Sequence, residues 1–327
     1  MSCLSRLSRG LVGLCLSATA FAAQAGYSSL TFFGDSLSDT GNLFISSGGA
    51  FPPSPYYDGR RSDGPVWVEY LAQGLGMPAA AAPFLAGGNN YAFIGAQTGL
   101  DGYGGLTGVG LQTQVGGFWA TVTSGVADPN GLYVIGIGAN DLFSIVEGNS
   151  GMGATDIQGR KAASDSALDN LMVSLGILAG SGARNFLVAN VPDLATTPEA
   201  LALGTSDAYA QTTTYFNDQL ALRLAAFRTS FAVGVAELDF YAISQAVTQD
   251  GLYNGGLRYG LGNVLQPCLL PGAPDCSVSM YADGVHPTTA MHAIVGQLAL
   301  ATVPEPDSAI LVLTALSLLP LLRRRKR

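Results

Sequence analysis

Short apolar, β-rich runs alternate with helical patterns along the middle of the chain. Ser29–Phe33, Asn90–Phe93, Leu132–Ile137, Phe186–Val191 and Val233–Phe240 predict five strands. Val66–Leu75, Leu111–Val122, Ala162–Ala179, Asp207–Phe227 and Thr288–Ala301 predict helices. Strand and helix signals in this order argue for a parallel sheet covered on both faces. The stretches Gly99–Gly110, Gly148–Gly159 and Gln249–Tyr281 read as surface loops. No internal repeat or linker interrupts residues 26–302, which read as one α/β domain.

Both ends of the chain fall outside this pattern. Arg6 and Arg9 precede an apolar stretch, Leu11–Ala22, and Ala23-Gln24-Ala25 has the form of a cleavage site. Residues 1–25 therefore read as a secretory signal peptide, and the apolar stretch is too short for a comfortable membrane anchor. Cys15 follows Leu14 rather than a small residue, which argues against a lipoprotein anchor. At the other end, Pro304-Glu305-Pro306 is followed by the apolar run Ser308–Leu322 and then Arg323-Arg324-Arg325-Lys326-Arg327. The apolar run falls short of the roughly 20 residues of a full span, and the basic cluster would stay on the cytoplasmic side. This tail, residues 303–327, resembles the PEP-CTERM sorting signal of Gram-negative bacteria. That resemblance implies transient attachment to the inner membrane, processing by an exosortase-type protease, and release to the cell surface or an exopolysaccharide matrix. A permanent single-span anchor is the alternative.

Composition supports export. Residues 26–303 carry 8 basic and 21 acidic side chains, a net charge of −13. Such a chain repels nucleic acid and anionic lipid surfaces. Of the 4 cysteines, Cys3 and Cys15 leave with the leader. Cys268 and Cys276 remain, and an oxidising compartment makes a disulfide their default state. No metal or cofactor motif is present, and a two-cysteine site lacks further metal ligands.

The candidate chemistry begins directly after the first strand, in Gly34-Asp35-Ser36-Leu37-Ser38-Asp39-Thr40-Gly41-Asn42. Open α/β sheets bind ligands at the carboxyl ends of their strands, which is where Ser36 falls. A serine nucleophile needs a base. The chain holds only 2 histidines, His286 and His292. His286 belongs to Asp283-Gly284-Val285-His286-Pro287, and Asp283 is placed to take the Nδ1 proton and fix the tautomer. His292 falls within a predicted helix and reads as structural. Acyl transfer also needs oxyanion donors. Gly138-Ala139-Asn140-Asp141 and Asn90-Tyr91-Ala92-Phe93-Ile94-Gly95 each end a strand with groups of the right kind. Taken singly, either is also an ordinary turn sequence. Asp35 and Asp39 read as carboxylates that fix the loop.

In this order the segments resemble the blocks of the GDSL esterase/lipase, or SGNH hydrolase, family. The nucleophile block falls on Ser36, the two oxyanion blocks on Gly95 and Asn140, and the last block on Asp283 and His286. Pro55–Arg60 with Gly64–Glu69, and Asn190–Leu194, also look like family segments. Ile94 stands where the second block often has a glycine, so Gly95 is the weakest match. The resemblance implies a three-layer α/β/α flavodoxin-like sandwich with a central five-stranded parallel sheet. It implies ester hydrolysis through an acyl-enzyme on Ser36, with no cofactor. In that scheme His286 is the base, Asp283 orients it, and the Ser36 and Gly95 N–H groups and the Asn140 side chain hold the oxyanion. The chain has no Gly-x-Ser-x-Gly elbow, which argues against the ordinary α/β-hydrolase fold. The expected substrate is a small-molecule, lipid or sugar ester. A deacetylase of acetylated exopolysaccharide is a second reading. An idle surface or matrix-binding protein on the same scaffold is a third, and the joint presence of Ser36, Asn140, Asp283 and His286 weighs against it.

Overall fold

The apolar runs pair into a sheet whose two faces are both buried. The structure is a computed structural model that describes residues 26–148 and 156–304. Residues 1–25, read as a leader, residues 305–327, read as part of a sorting tail, and the centre of the Gly148–Gly159 segment lie outside the described residues. Ser29–Val303 forms one compact unit. Its strands are β1 (Leu30–Gly34), β2 (Leu132–Gly136), β3 (Asn185–Ala189) and β4 (Gly234–Leu238). They are all parallel, in the order β1-β2-β3-β4, with Leu30 opposite Leu132 and Leu132 opposite Asn185.

The helices are α1 (Asn42–Ser46), α2 (Trp67–Gly74), α3 (Leu111–Thr121), α4 (Ala139–Glu147), α5 (Ile157–Gly180), α6 (Pro198–Leu203), α7 (Ser206–Phe231), α8 (Phe240–Asn254) and α9 (Thr289–Thr302). On one face Phe33, Tyr133, Ile135, Phe186 and Val188 meet α3, α5 and α7. Successive residues of a strand point to opposite faces, so these positions share one. The α5 residues Leu168, Leu171, Leu175 and Leu178 are completely buried there at helical spacing. Truncating any of them to alanine is a loss of about 2–5 kcal/mol. The opposite face is covered by α2 and α9. A Cβ on Gly136 would sit 3.4 Å from the Trp67 ring. These two helices lie unusually close, because a Cβ on Gly296 of α9 would come within 2.5 Å of Tyr70 Cβ and 2.9 Å of the Trp67 carbonyl oxygen.

Three expectations need correction. Among the described residues the sheet has four strands, not five, because Asn90–Phe93 does not form a regular strand. It lies along the free edge of β1, with Tyr91 N–H to Phe32 O (2.8 Å) and Phe93 N–H to Gly34 O (3.1 Å). The Asn90 side chain accepts from Ala92 N–H at 3.0 Å, which turns the chain away from ladder geometry. The run Val233–Phe240 also ends early. Asp239 accepts from Ala242 N–H at 3.0 Å and caps α8, so Phe240 opens a helix. That helix continues to Asn254, into the segment read as a loop from Gln249 onward.

Within the remaining loop Cys268 and Cys276 are joined, with Cα atoms 5.1 Å apart. The bridge closes a short loop, and the chain-entropy argument gives it about 2–3 kcal/mol of stabilisation. Replacing both cysteines with serine is expected to lower thermal stability accordingly, without unfolding the sheet. An unchanged Tm in calorimetry would show that the bridge adds nothing.

Candidate active site

β1 carries β2 on one edge and residues 89–93 on the other. The chain runs from β1 to the 89–93 edge and then crosses back to β2 on the other side, so the carboxyl end of β1 is a topological switch point, the usual ligand site of an open α/β sheet. Ser36 stands there, two residues beyond Gly34. The loop around it is tied to its own carboxylates. The Asp35 carbonyl oxygen accepts from Ser38 and Asp39 N–H, and Asp35 Oδ1 from Leu37 N–H. Asp39 accepts four backbone N–H groups, from Gly41, Asn42, Leu43 and Ile94, at 2.7–3.2 Å. Burial pushes Asp35 up to about 7 and Asp39 up to about 6, against the pull of these donors.

His286 reaches this loop from the far end of the chain. Its Nε2 lies 2.9 Å from Ser36 Oγ, and its Nδ1 lies 2.9 and 2.8 Å from Asp283 Oδ1 and Oδ2. Asp283 Oδ1 also accepts from the N–H groups of Val285 (2.9 Å) and His286 (2.8 Å), which folds the Asp-x-x-His segment into a tight turn. Burial pushes the Asp283 carboxyl up. His286, the Tyr56 hydroxyl and Arg61 together outweigh it and hold the group well below the usual carboxylate range. Asp283 is therefore an anion.

Asn140 sits in the first turn of α4 beside Ser36, buried, and donates one side-chain N–H to Ala96 O at 3.0 Å. Gly95 has φ +82°, and a Cβ there would lie 2.6 Å from Leu106 Cδ1. Only glycine suits that backbone. Ser36, Gly95, Asn140 and His286 line one cavity of about 270 Å³ with Phe51, Arg61, Tyr103, Phe143, Glu147 and Glu199. A small apolar recess of about 30 Å³ also opens on Ser36, Asn140 and His286. A larger cleft of about 740 Å³ over Phe44, Arg60 and Tyr70 contains none of these groups.

The pattern of the GDSL-like lipase/acylhydrolase family matches residues 30–299, most of the chain. The chain belongs to this family. It is an ester hydrolase of the GDSL type. It is 27% identical to the phosphatidylcholine-sterol acyltransferase of Aeromonas hydrophila, over 88% of this chain and 93% of that protein. It is 31% identical to the thermolabile hemolysin of Vibrio parahaemolyticus, over 51% of this chain and 34% of that protein. Among solved structures it resembles a lipolytic GDSL family member from Veillonella parvula (TM-score 0.43, 16% identity, 84% of this chain and 96% of that one). It also resembles an acetylxylan esterase from Geobacillus stearothermophilus (TM-score 0.40, 16% identity, 85% and 95%).

Several residues that build this GDSL site have roles that motif reading did not assign. Asn42 donates to Asn90 O and Ala92 O at 2.7 and 2.9 Å, while Asn90 donates back to Ser38 O at 2.7 Å. This reciprocal pair fastens the nucleophile loop to the segment that carries Gly95. Gln114 of α3 brackets the peptide of Gly34, accepting from its N–H at 2.9 Å and donating to its carbonyl oxygen at 2.8 Å. The Trp67 indole donates to Ser38 Oγ at 3.1 Å. No group of three or more His, Cys, Asp or Glu is placed to hold a metal ion among the described residues.

His292 lies apart from the reacting groups. It is fully buried on α9, and its Nδ1 accepts from Trp67 N–H at 3.2 Å. Burial, then the proximity of His286, pushes it from 6.5 down to about 3. The unfolded chain therefore takes up this proton first as pH falls. The stability held by neutral His292 is full above about 6.5 and is lost as pH drops toward about 3. The buried Asp35, Asp39 and Asp141 act in the opposite sense, so the difference between two proteins is what counts. Between pH 7 and 4.5, urea midpoints of the parent should fall more than those of His292→Gln. Parallel curves would remove His292 from the acid sensitivity of the fold.

Proposed function

We propose that this protein is an exported carboxylic ester hydrolase that works through an acyl-enzyme on Ser36. The observation that carries the reading is the unbroken hydrogen-bond chain from Ser36 Oγ through His286 to the ionised Asp283. With Nδ1–H donated to Asp283, Nε2 is free to accept the Ser36 proton as Oγ attacks the ester carbonyl carbon. The oxyanion is held by the Ser36 and Gly95 backbone N–H groups and the Asn140 side chain. The imidazolium then protonates the leaving alcohol. In the second half His286 takes a proton from water, hydroxide attacks the acyl carbon, and Ser36 recovers its proton. The Aeromonas relative supports lipid acyl esters as the substrate class.

Export is part of the proposal. Its support is the leader-like sequence over 1–25, the Pro-Glu-Pro tail, the acidic composition and the joined cysteine pair. A signal peptidase and an exosortase-type protease would process the two ends, leaving the enzyme at the cell surface or in the surrounding matrix.

Ser36→Ala is expected to abolish hydrolysis of a short-chain aryl ester and to lose labelling by a fluorophosphonate probe, with the fold intact. Loss of one triad member leaves only the residual rate from binding and the oxyanion site. Retention of most of the activity would move the nucleophile elsewhere.

Intact-mass measurement on material secreted by the native cell tests export. The expected species lacks residues 1–25 and Ser308–Arg327. Full-length protein held in the inner membrane, with Arg323–Arg327 attached, would establish the permanent anchor instead.

A further inference from the structure

We propose that Tyr56 and Arg61 form a positioning clamp on Asp283 that sets the acid limb of the enzyme's pH–rate profile. The inference rests on the Ser36–His286–Asp283 reading. The Tyr56 hydroxyl donates to Asp283 Oδ2 at 2.6 Å, across 227 residues of sequence. Arg61 Nη2 lies 3.1 Å from the same oxygen. The guanidinium is itself held in place, 4.5 Å from the centre of the Tyr56 ring and 5.7 Å from that of Phe51. Stacking of this kind orients a planar cation. Since Oδ1 is already bound by the Val285 and His286 N–H groups, both carboxylate oxygens are fixed by donors other than the imidazole. Asp283 thus has one available orientation, and so has the ring it binds.

The clamp also has an electrostatic consequence. Four groups face His286 besides Ser36 and the clamp. Asp283 touches it directly, Glu199 of α6 and Glu147 of α4 share its cavity, and His292 lies buried behind it on α9. Three of these are carboxylates. They favour the imidazolium, the form that cannot accept the Ser36 proton. Arg61 is the cation among the residues lining that cavity, and it sits on the carboxylate nearest the ring. Its charge opposes theirs beside the imidazole, so removing it leaves the three carboxylates unopposed. The Tyr56 hydroxyl supports this by withdrawing charge from Oδ2. Burial, then the bond to Asp283, pushes Tyr56 up, so it remains a donor throughout the working range.

The test is the pH dependence of kcat/KM on a neutral aryl acetate for Tyr56→Phe, Arg61→Gln and Arg61→Lys. Tyr56→Phe and Arg61→Gln should move the acid limb to higher pH by about half a unit to one unit. Arg61→Lys keeps the charge and should return the limb most of the way. Tyr56 does not line the cavity, so Tyr56→Phe should lower kcat with little change in KM. An acid limb at the parental position in Tyr56→Phe and Arg61→Gln overturns the clamp, whether or not rates fall. Should Tyr56→Phe not fold, the Gln/Lys contrast at Arg61 decides alone. Fluorophosphonate labelling separates the two levels. An unmoved limb in protein whose Ser36 still labels rejects the clamp, whereas labelling that persists in Ser36→Ala rejects the triad reading beneath it.

Discussion

The Asp39 carboxylate gathers N–H groups from two places at once. Three come from Gly41, Asn42 and Leu43, just beyond the nucleophile, and the fourth from Ile94, 55 residues away. A buried carboxylate without partners would cost several kcal/mol, so the two segments have little freedom to separate. That constraint fixes the distance between Ser36 and Gly95. The Asn42–Asn90 exchange and the Gln114 bracket on Gly34 repeat the fastening on either side. The site is built on β1, and its loops behave as extensions of the sheet because their backbone polar groups have fixed partners.

The opposite half of the site is anchored differently. The backbone just ahead of Asp283 is bonded to the disulfide loop, with Cys268 N–H to Tyr281 O and Leu269 N–H to Ala282 O, both at 3.0 Å. Ala282 N–H then reaches His286 O at 2.8 Å, and Thr288 caps α9 through Met291 N–H. The turn that carries Asp283 and His286 is held at both ends before the imidazole makes any contact with Ser36. The close approach of α2 and α9 that Gly296 permits brings this turn against β1. Loop closure over 250 residues is thus met by the fold as a whole, and the triad hydrogen bonds need only the last rotamer choices.

What could be read in advance follows the range of the determining interaction. β1, β2 and β3 begin and end within two residues of their apolar runs, because burial on both faces imposes an unbroken apolar signature. Asp283 and His286 are three residues apart, so their pairing is a local turn that a motif can encode. The tertiary proximity of Ser36 had no such local signal; only the strand-end position and the order of the blocks pointed to it. Asn90–Phe93 has strand composition yet makes only a bridge, since the Asn90 side chain competes for the local backbone. The α8 start was missed because Asp239 ended an apolar run that also suited a strand. The roles of Tyr56, Arg61, Gln114 and Trp67 were out of reach. Each acts on a partner distant in sequence, and although Tyr56 and Trp67 lie in family-like segments, nothing local names that partner.

The two halves of the site differ in what holds their charge. Around Ser36 the carboxylates of Asp35, Asp39 and Asp141 are buried and met mainly by backbone or hydroxyl donors, and burial raises all three toward neutrality. Around His286 the half-buried carboxylate of Asp283 meets an imidazole, a phenol and a guanidinium, and remains an anion. Hydrogen bonds from neutral amides fix a loop but only partly offset desolvation, whereas a full positive charge nearby can reverse its effect. The same residue type therefore serves as a structural peg on one side of the nucleophile and as a charge partner on the other. Arg61 and the imidazole make that difference, and it is why Asp283, rather than Asp35 next to the serine, is equipped to stabilise a positive charge that comes and goes on His286.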